Sequence, residues 1–299
     1  MTTIQKTDTL AVTQVLGAPK ESAWRNFISQ FFRNKAAVVG AIIIAFYIFI
    51  ATFAPLLAPY DPYEIQLENK LQSPSLEHWM GTDDKGRDIL SRILYGSRLS
   101  MGVGFAAVAF GAFFGILFGL IAGYYGKWVD SVIMRCMDVL LAFPGILLAL
   151  AIISALGPGM INVTIAVGAF SVPLFARIVR GSTLEVKQLE YVDAIRSLGA
   201  KDSTIIFRHI LPNILSPIIV QGTLRIATAI LSAAGLSFLG LGAQPPSSEW
   251  GTMLSGGRDF LFSAPYIAIF PGMAIAILVL GLNIFGDGLR DALDPRMKN

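Results

Sequence analysis

The sequence predicts an all-α polytopic membrane protein with six transmembrane helices and with both termini in the cytosol. The composition, six long apolar runs and the placement of the basic residues each favour this class. Hydrophobic residues make up 54% of the 299 residues, charged residues make up 14%, and the mean hydropathy is +0.64. This composition is far too apolar for a soluble two-domain protein and is typical of a protein that crosses a bilayer repeatedly.

Six apolar runs are long enough for the hydrocarbon core of a bilayer, which an α-helix crosses in about 20 residues. They lie at 36–58, 100–122, 132–156, 161–180, 214–236 and 266–286. The polar residues 1–35 form a separate N-terminal segment ahead of the six-span domain at 36–299. Apolar side chains recur there at helical spacing, which predicts an amphipathic helix at the membrane surface. They are Trp24, Phe27, Ile28, Phe31 and Phe32. The alternative is a simple cytosolic extension of the first span.

The basic residues predict which side of the membrane each loop faces. With six spans, the N-terminal segment, the loop at 181–213 and the C-terminal tail share one side. All three are basic, and basic loops remain in the cytoplasm. The outward loop at 58–99 carries seven acidic residues against five basic ones, which agrees with this orientation. The last outward loop, at 237–265, is mostly uncharged and is predicted to form a partly re-entrant or packed lid and not a soluble domain.

The cytosolic loop at 181–213, called the knuckle below, is predicted to contain two short helices. Ser182 and Glu185 have the spacing of a capping box at the start of the first helix. Apolar residues then recur at helical spacing until Gly199, which provides a C-terminal stop.

The second knuckle helix is predicted to begin at a capping Asp202 or Ser203. It should end near Leu211, because Pro212 disfavours helical geometry in the residue before it. The knuckle is therefore expected to be a polar pair of helices that projects from the membrane domain.

Two patterns inside the spans predict contacts between helices. Glycines at strict four-residue spacing line one face of the second span and let another helix approach closely. They are Gly111, Gly115, Gly119 and Gly123. In the third span, Arg135 and Asp138 are three residues apart and can pair with each other.

A polar stripe in the fifth span predicts part of a translocation pathway. Gln221, Arg225, Thr228 and Ser232 fall on one face of a helix that is otherwise rich in Ile, Leu and Ala. An arginine at that depth is costly unless it faces protein or water. The alternative is a hydrogen-bonded interface between helices.

The sequence contains no pattern that predicts catalysis or nucleotide binding. The segment from Gly81 to Asp88 has the glycine spacing of a phosphate loop, but Arg-Asp stands where Lys followed by Ser or Thr is required. Asp83, Asp84 and Asp88 are expected in capping and turn roles, since the ligand alternation of a calcium loop is missing. With two histidines and one cysteine, no cluster has metal-ligand spacing. We expect no enzymatic activity, no metal, no cofactor and no nucleic-acid partner.

The knuckle resembles the cytosolic coupling loop of ATP-binding-cassette (ABC) importer permeases. The family pattern is Glu-Ala-Ala, three residues, Gly, nine residues and Ile-x-Leu-Pro. This chain has Asp193-Ala194-Ile195, Gly199 and His209-Ile210-Leu211-Pro212, so the Glu, the second Ala and the first Ile of the pattern are replaced. Three further blocks resemble the second permease subunit of dipeptide, oligopeptide, glutathione and nickel importers. They are GTDDKGRDILSRILYGSRLS (81–100), LSFLGLGAQPPSSEWGTML (236–254) and GDGLRDALDP (286–295).

The resemblance implies a permease subunit in the bacterial cytoplasmic membrane, with a paralogous permease, two ABC ATPases and an extracytoplasmic solute-binding protein as partners. ATP and Mg²⁺ would be bound by the ATPases. The matching positions imply an ATPase-coupling role for Asp193, Ala194, Gly199, His209, Leu211 and Pro212. The implied cargo is a dipeptide, an oligopeptide or glutathione, with nickel or another metal chelate as the alternative. An ion-coupled secondary transporter is a further alternative, although no internal repeat is visible.

Overall fold

The computed structural model describes residues 31–293, and this part of the chain consists of helices and loops without a β-strand. The helices are α1 (Lys35–Leu57), α2 (Ile89–Tyr125), α3 (Lys127–Ala142), α4 (Gly145–Leu156), α5 (Met160–Lys187), α6 (Glu190–Ser197), α7 (Leu215–Phe238), α8 (Trp250–Gly257) and α9 (Tyr266–Leu293). An irregular helical segment at 202–214 leads directly into α7. The predicted interfacial helix begins at Trp24 and lies for the most part outside the described residues.

Five helical stretches in the described region are long and apolar enough to cross a bilayer. They are α1, α2, α5, the stretch Asp202–Phe238 that ends with α7, and α9. The apolar run at 132–156 instead forms α3 and α4, which are bent by 93° relative to each other. The bend falls at Phe143, whose extended backbone (φ −91°, ψ 136°) is the conformation favoured before a proline such as Pro144. Counting the bent pair as one crossing gives six spans.

The predicted glycine seam packs α2 against α5, and this prediction is confirmed. A Cβ atom added at any of the four seam glycines would lie 2.3–2.7 Å from an atom of α5. Atoms of the α5 backbone are among the contacts, for example the carbonyl oxygens of Gly168 and Ala176. Only glycine permits such an approach, so the seam holds α2 and α5 together as a closely packed pair. This pair ends beside the knuckle.

At the end opposite the knuckle, the loop between α1 and α2 folds back onto the membrane domain. Asp83 Oδ1 accepts hydrogen bonds from the backbone nitrogens of Lys85 and Arg87 at 2.9 and 3.0 Å. Asp88 is the N-cap of α2 and accepts from the backbone nitrogen of Ser91 at 2.7 Å. These contacts confirm the predicted turn and capping roles of Asp83 and Asp88.

Arg92 joins this loop to the predicted lid. Its guanidinium is buried and donates to the carbonyl oxygens of Pro62 and Ser247 at 3.1 and 2.9 Å. In the lid, the buried carboxylate of Glu249 caps α8 by accepting from two backbone N–H groups at 3.0 and 2.9 Å. The lid is therefore packed against the helices, as the sequence predicts.

Candidate coupling site and membrane stripe

The knuckle begins after α5 ends at Lys187, later than the sequence predicts. Ser182 and Thr183 lie inside α5, so the predicted capping box does not start a new helix. Thr183 is fully buried and faces Gly123 at the last step of the glycine seam. Packing against α2 keeps α5 helical here, since tertiary contacts override a local preference.

The first knuckle helix is α6, and it ends before Gly199 as predicted. Gly199 has a φ of +80°, in the left-handed region that glycine adopts without steric cost. Its backbone nitrogen donates to the carbonyl oxygen of Arg196 at 3.0 Å, which satisfies an acceptor at the helix end. An added Cβ would meet no atom within 4 Å. The need for glycine here therefore comes from the backbone conformation and not from crowding.

The second knuckle segment does not end before Pro212, so that prediction is wrong. Ile205–Ile210 forms a π-helical turn, Leu211–Ile214 forms a 3-10 turn, and α7 follows directly. Proline lacks an N–H group and its ring crowds the preceding turn. A wide turn followed by a tight one accommodates the ring, and the helical path continues into the membrane.

An apolar core holds the knuckle against the ends of α2 and α5. Its buried members are Leu120, Tyr124, Val179, Val192, Ile205, Ile206, Ile210, Ile214 and Ile218. A polar clamp supports it: the Asn213 side chain donates to the carbonyl oxygen of His209 at 2.6 Å and to the Tyr191 hydroxyl at 3.1 Å. Burial of this apolar surface favours a defined position for the knuckle.

The residues predicted to couple to an ATPase divide between the outer surface and the base of the knuckle. Asp193, Ala194, Gly199 and Pro212 are exposed, whereas His209 and Leu211 are partly buried. Asp193 accepts from the Arg196 guanidinium at 3.1 Å. The residues at the base position the segment, while the exposed residues are available to a partner.

Exposed apolar side chains on the knuckle were missed by the sequence analysis. Leu198 is 87% exposed and Phe207 is 61% exposed. Leu189, between α5 and α6, is also exposed. Large apolar side chains that are exposed outside the membrane spans are candidate contact points for a partner protein. Leu198 and Phe207 fall outside the apolar helical repeat that predicted the buried side, whereas Leu189 lies within that repeat and is nevertheless exposed.

The predicted stripe lies on α7, which contacts α2, α5, α8 and α9. Gln221, Arg225 and Ser232 are partly buried, and Thr228 is exposed and donates to the carbonyl oxygen of Arg225 at 2.9 Å. Within residues 31–293 the Arg225 guanidinium has neither a hydrogen bond nor an ion pair. A charged group at this depth needs protein or water against it.

The stripe continues into a cleft near the knuckle. The cleft has a volume of about 540 Å³ and lies between α5, the start of α7 and the end of α9. Gln221, Asn213, Ser216 and Arg290 contribute its polar groups, and no acidic side chain is among its lining residues. The polar surface thus runs from mid-span towards the knuckle end of the bundle.

Two ion pairs join α3 to α5, and the sequence analysis missed both. Arg180 forms a bidentate pair with Asp130 at 2.5 and 2.6 Å. Arg177 pairs with Asp138 at 2.6 Å. The predicted pairing of Asp138 with Arg135 is wrong, because α3 lies beside α5 and offers Asp138 a cation on the neighbouring helix.

The fold and the site define a multi-pass α-helical membrane subunit with a two-segment knuckle at one end of the bundle. Comparison with known families supports a more specific assignment. The family described as "Binding-protein-dependent transport system inner membrane component" matches residues 115–299. The family described as "N-terminal TM domain of oligopeptide transport permease C" matches residues 22–74. The chain belongs to the first of these families, the membrane subunits of ABC importers, and is an inner-membrane permease component.

Curated relatives cover nearly the whole chain. A dipeptide transport system permease protein DppC from Alkalihalophilus pseudofirmus is 55% identical over 93% of this chain and 91% of the relative. A glutathione transport system permease protein GsiD from Pectobacterium atrosepticum is 51% identical over 92% of each chain. GsiD from Escherichia coli is 52% identical over 92% of this chain and 91% of the relative.

Solved structures share the fold at low sequence identity. A chain of the MetNI methionine ABC transporter in an inward-facing conformation matches with a TM-score of 0.55 and 18% identity, over 69% of this chain and 98% of that chain. A chain from a crystal structure of an amino acid ABC transporter with histidines matches with a TM-score of 0.52 and 15% identity, over 67% and 94%. The architecture is therefore that of an ABC transporter membrane subunit.

Proposed function

We propose that this chain is one of the two permease subunits of an ATP-driven peptide importer. A paralogous permease completes the pathway, two ABC ATPases bind at the cytosolic face, and an extracytoplasmic solute-binding protein delivers the cargo. ATP and Mg²⁺ are bound by the ATPases, and this chain has no nucleotide site of its own. Its role is transport without enzymatic activity.

The observation that carries this proposal is the knuckle, which combines a fixed base with an exposed apolar tip. The base is packed on α2 and α5 through nine buried residues, and the tip presents Leu198 and Phe207 outward. A rigid element with an unpartnered apolar end is suited to dock on a second protein and to transmit its displacement. Gly199, Asp193 and Ala194 form the exposed part of this contact.

The stripe on α7 is proposed as this chain's part of the pathway. Arg225 supports the assignment because it is unpaired among the described residues, and Thr228 is exposed one turn away. The cleft that continues from Gln221 contains Arg290 but no acidic residue. A pathway with these groups favours cargo that bears a carboxylate.

Peptide cargo is proposed from the relatives together with this charge pattern. One relative is a dipeptide permease and others are glutathione permeases, and both ligand classes carry free carboxylates. Alternating access would expose the stripe first to the outside and then to the cytosol as the ATPases close and open.

The test is uptake by the complete complex in proteoliposomes, with its binding protein outside, ATP inside and a radiolabelled dipeptide as cargo. We expect uptake that requires hydrolysable ATP and that unlabelled dipeptide suppresses more strongly than a nickel chelate does. A preparation with a non-hydrolysable ATP analogue is the matched control. Uptake driven by an ion gradient in the absence of ATP would refute the proposal, and preferential suppression by the nickel chelate would refute the cargo assignment.

A further inference from the structure

Tyr124, in the last turn of α2, contacts the end of α5, α6 and the start of the second knuckle segment. Its hydroxyl donates to Asp202 Oδ1 at 2.6 Å. Its backbone carbonyl accepts a hydrogen bond from Lys187 Nζ at the end of α5. Its ring lies 5.6 Å from Lys187 Nζ and 5.7 Å from the Arg196 guanidinium carbon, measured to the ring centroid. One buried side chain therefore links α2, α5, α6 and the second knuckle segment.

Asp202 serves this contact instead of the capping role that the sequence predicts. The N-cap position of the second knuckle segment is held by Lys201, without a side-chain hydrogen bond. Asp202 is exposed, but its carboxylate is oriented towards α2 by the Tyr124 hydroxyl. A hydrogen bond to an ionised acceptor is stronger and more directional than a neutral one.

The linkage matters because the knuckle has two points at which it can bend. One is the break between α5 and α6 at Gln188 and Leu189, and the other is the turn at Gly199. The α2–α5 pair beneath them is closely packed through the glycine seam. A displacement of the knuckle tip by an ATPase moves the α2–α5 pair only if the knuckle does not bend at either point. Tyr124 contacts α6, which follows the first point, and Asp202, which follows the second, and so holds both segments in place.

We propose that Tyr124 is a positioning residue that fixes both knuckle segments to the α2–α5 pair, and that its hydroxyl determines how fully ATPase motion reaches the membrane helices. This inference rests on the proposed coupling function. Tyr124 is buried, so it acts through Asp202 and Arg196 and does not itself contact an ATPase.

The roles of the ring and of the hydroxyl can be separated by substitution. The ring belongs to the apolar core of the knuckle, and Tyr124→Phe retains it. That variant removes the hydroxyl, and with it the bond to Asp202 and the polar contact of the hydroxyl with Arg196. Tyr125 provides a matched control, since it is adjacent, half-exposed and without a hydroxyl hydrogen bond among the described residues. Asp202→Asn keeps an acceptor oxygen, whereas Asp202→Ala removes it.

The experiment measures ATP hydrolysed per dipeptide transported by the complete importer in proteoliposomes. For Tyr124→Phe and for Asp202→Ala we expect this ratio to rise about threefold to tenfold, in keeping with the loss of a partly exposed hydrogen bond to a carboxylate. The ratio of ATP hydrolysed to dipeptide transported should be no higher in the double variant than in either single variant, because both substitutions remove the same interaction. The ratio for Asp202→Asn should lie closer to the wild-type ratio. The ratio for Tyr125→Phe should equal the wild-type ratio.

Three results would overturn the inference. The first is a wild-type ratio in Tyr124→Phe, and the second is additive effects in the double variant. The third is failure of Tyr124→Phe to assemble with the ATPases while Tyr125→Phe assembles, which would make the hydroxyl a folding determinant only. Failure of the proposed function itself is recognised separately, because the wild-type complex would then show no ATP-dependent uptake.

Discussion

Replacing Gly115 with alanine should weaken the contact between α2 and α5. The new Cβ would lie 2.3 Å from Phe175 Cβ, 2.8 Å from the carbonyl oxygen of Val172 and 3.1 Å from the backbone nitrogen of Ala176. Two of these atoms belong to the backbone, so no side-chain rotation relieves the overlap and the helices must separate by roughly 1 Å. Overpacking of this kind costs about 1–3 kcal/mol.

Gly102 on the same helix provides the control, because a Cβ added there meets no atom within 4 Å. Both substitutions gain the same helix propensity, about 1 kcal/mol. The difference between the two variants therefore isolates the packing term. Thermal unfolding of the purified complex in nanodiscs, followed by tryptophan fluorescence, should show Gly115→Ala melting several degrees below Gly102→Ala. Equal melting temperatures would refute the claim that the seam is close-packed.

Three further predictions concern the knuckle, the outer loops and the orientation. Gly199→Val should reach the membrane but lose ATPase association in co-purification, because valine at φ +80° costs about 1–2 kcal/mol and shifts the turn; normal co-purification would contradict this. Arg92→Met should lower the free energy of unfolding by about 1–3 kcal/mol, since it leaves the carbonyl groups of Pro62 and Ser247 without their donor, whereas Asp83 keeps its ion pair with Arg87; wild-type melting would exclude that role. Ser203 and Ser73 are both exposed. A cysteine at Ser203 should react with an impermeant thiol reagent only from the cytosol, and a cysteine at Ser73 only from outside. The reverse pattern would show that the topology is inverted.

The helices of the membrane domain could be predicted from hydropathy because the bilayer imposes one requirement on every span. An apolar run of about 20 residues has few alternatives to a helix in lipid. The glycine seam was also predictable, since four glycines on one face of a membrane helix are typical of a face that packs closely against another helix. The bend between α3 and α4 was not predicted, although Pro144 marks its position.

The details of the knuckle were less predictable because tertiary contacts decide them. The capping box at Ser182 was overridden by the burial of Thr183 against the seam. The stop at Pro212 was avoided by a π turn followed by a 3-10 turn. Asp202 was assigned to its own helix end, whereas its partner is Tyr124, 78 residues away. A local pattern contains no information about a contact over that separation.

The residues of the candidate pathway remain predictions, and the structure adds the environment of Arg225. Sequence spacing was enough to put Gln221, Arg225 and Thr228 on one face of a helix. It could not say whether a carboxylate on another span neutralises the arginine. Within residues 31–293 no acidic group pairs with it, whereas Asp138 and Asp130 are taken by cations of α5.

Site-specific cross-linking from Leu198 tests the coupling claim most directly. Leu198 is 87% exposed at the tip of the knuckle, so a photo-reactive amino acid there should not disturb the buried base. In the complete, transport-active complex we predict a cross-link to an ATPase subunit whose yield changes when ATP is trapped. A probe at Leu76, which is 96% exposed at the opposite end of the bundle, should give no such product. A complex that transports its cargo while Leu198 forms no cross-link to an ATPase in any nucleotide state would contradict the account.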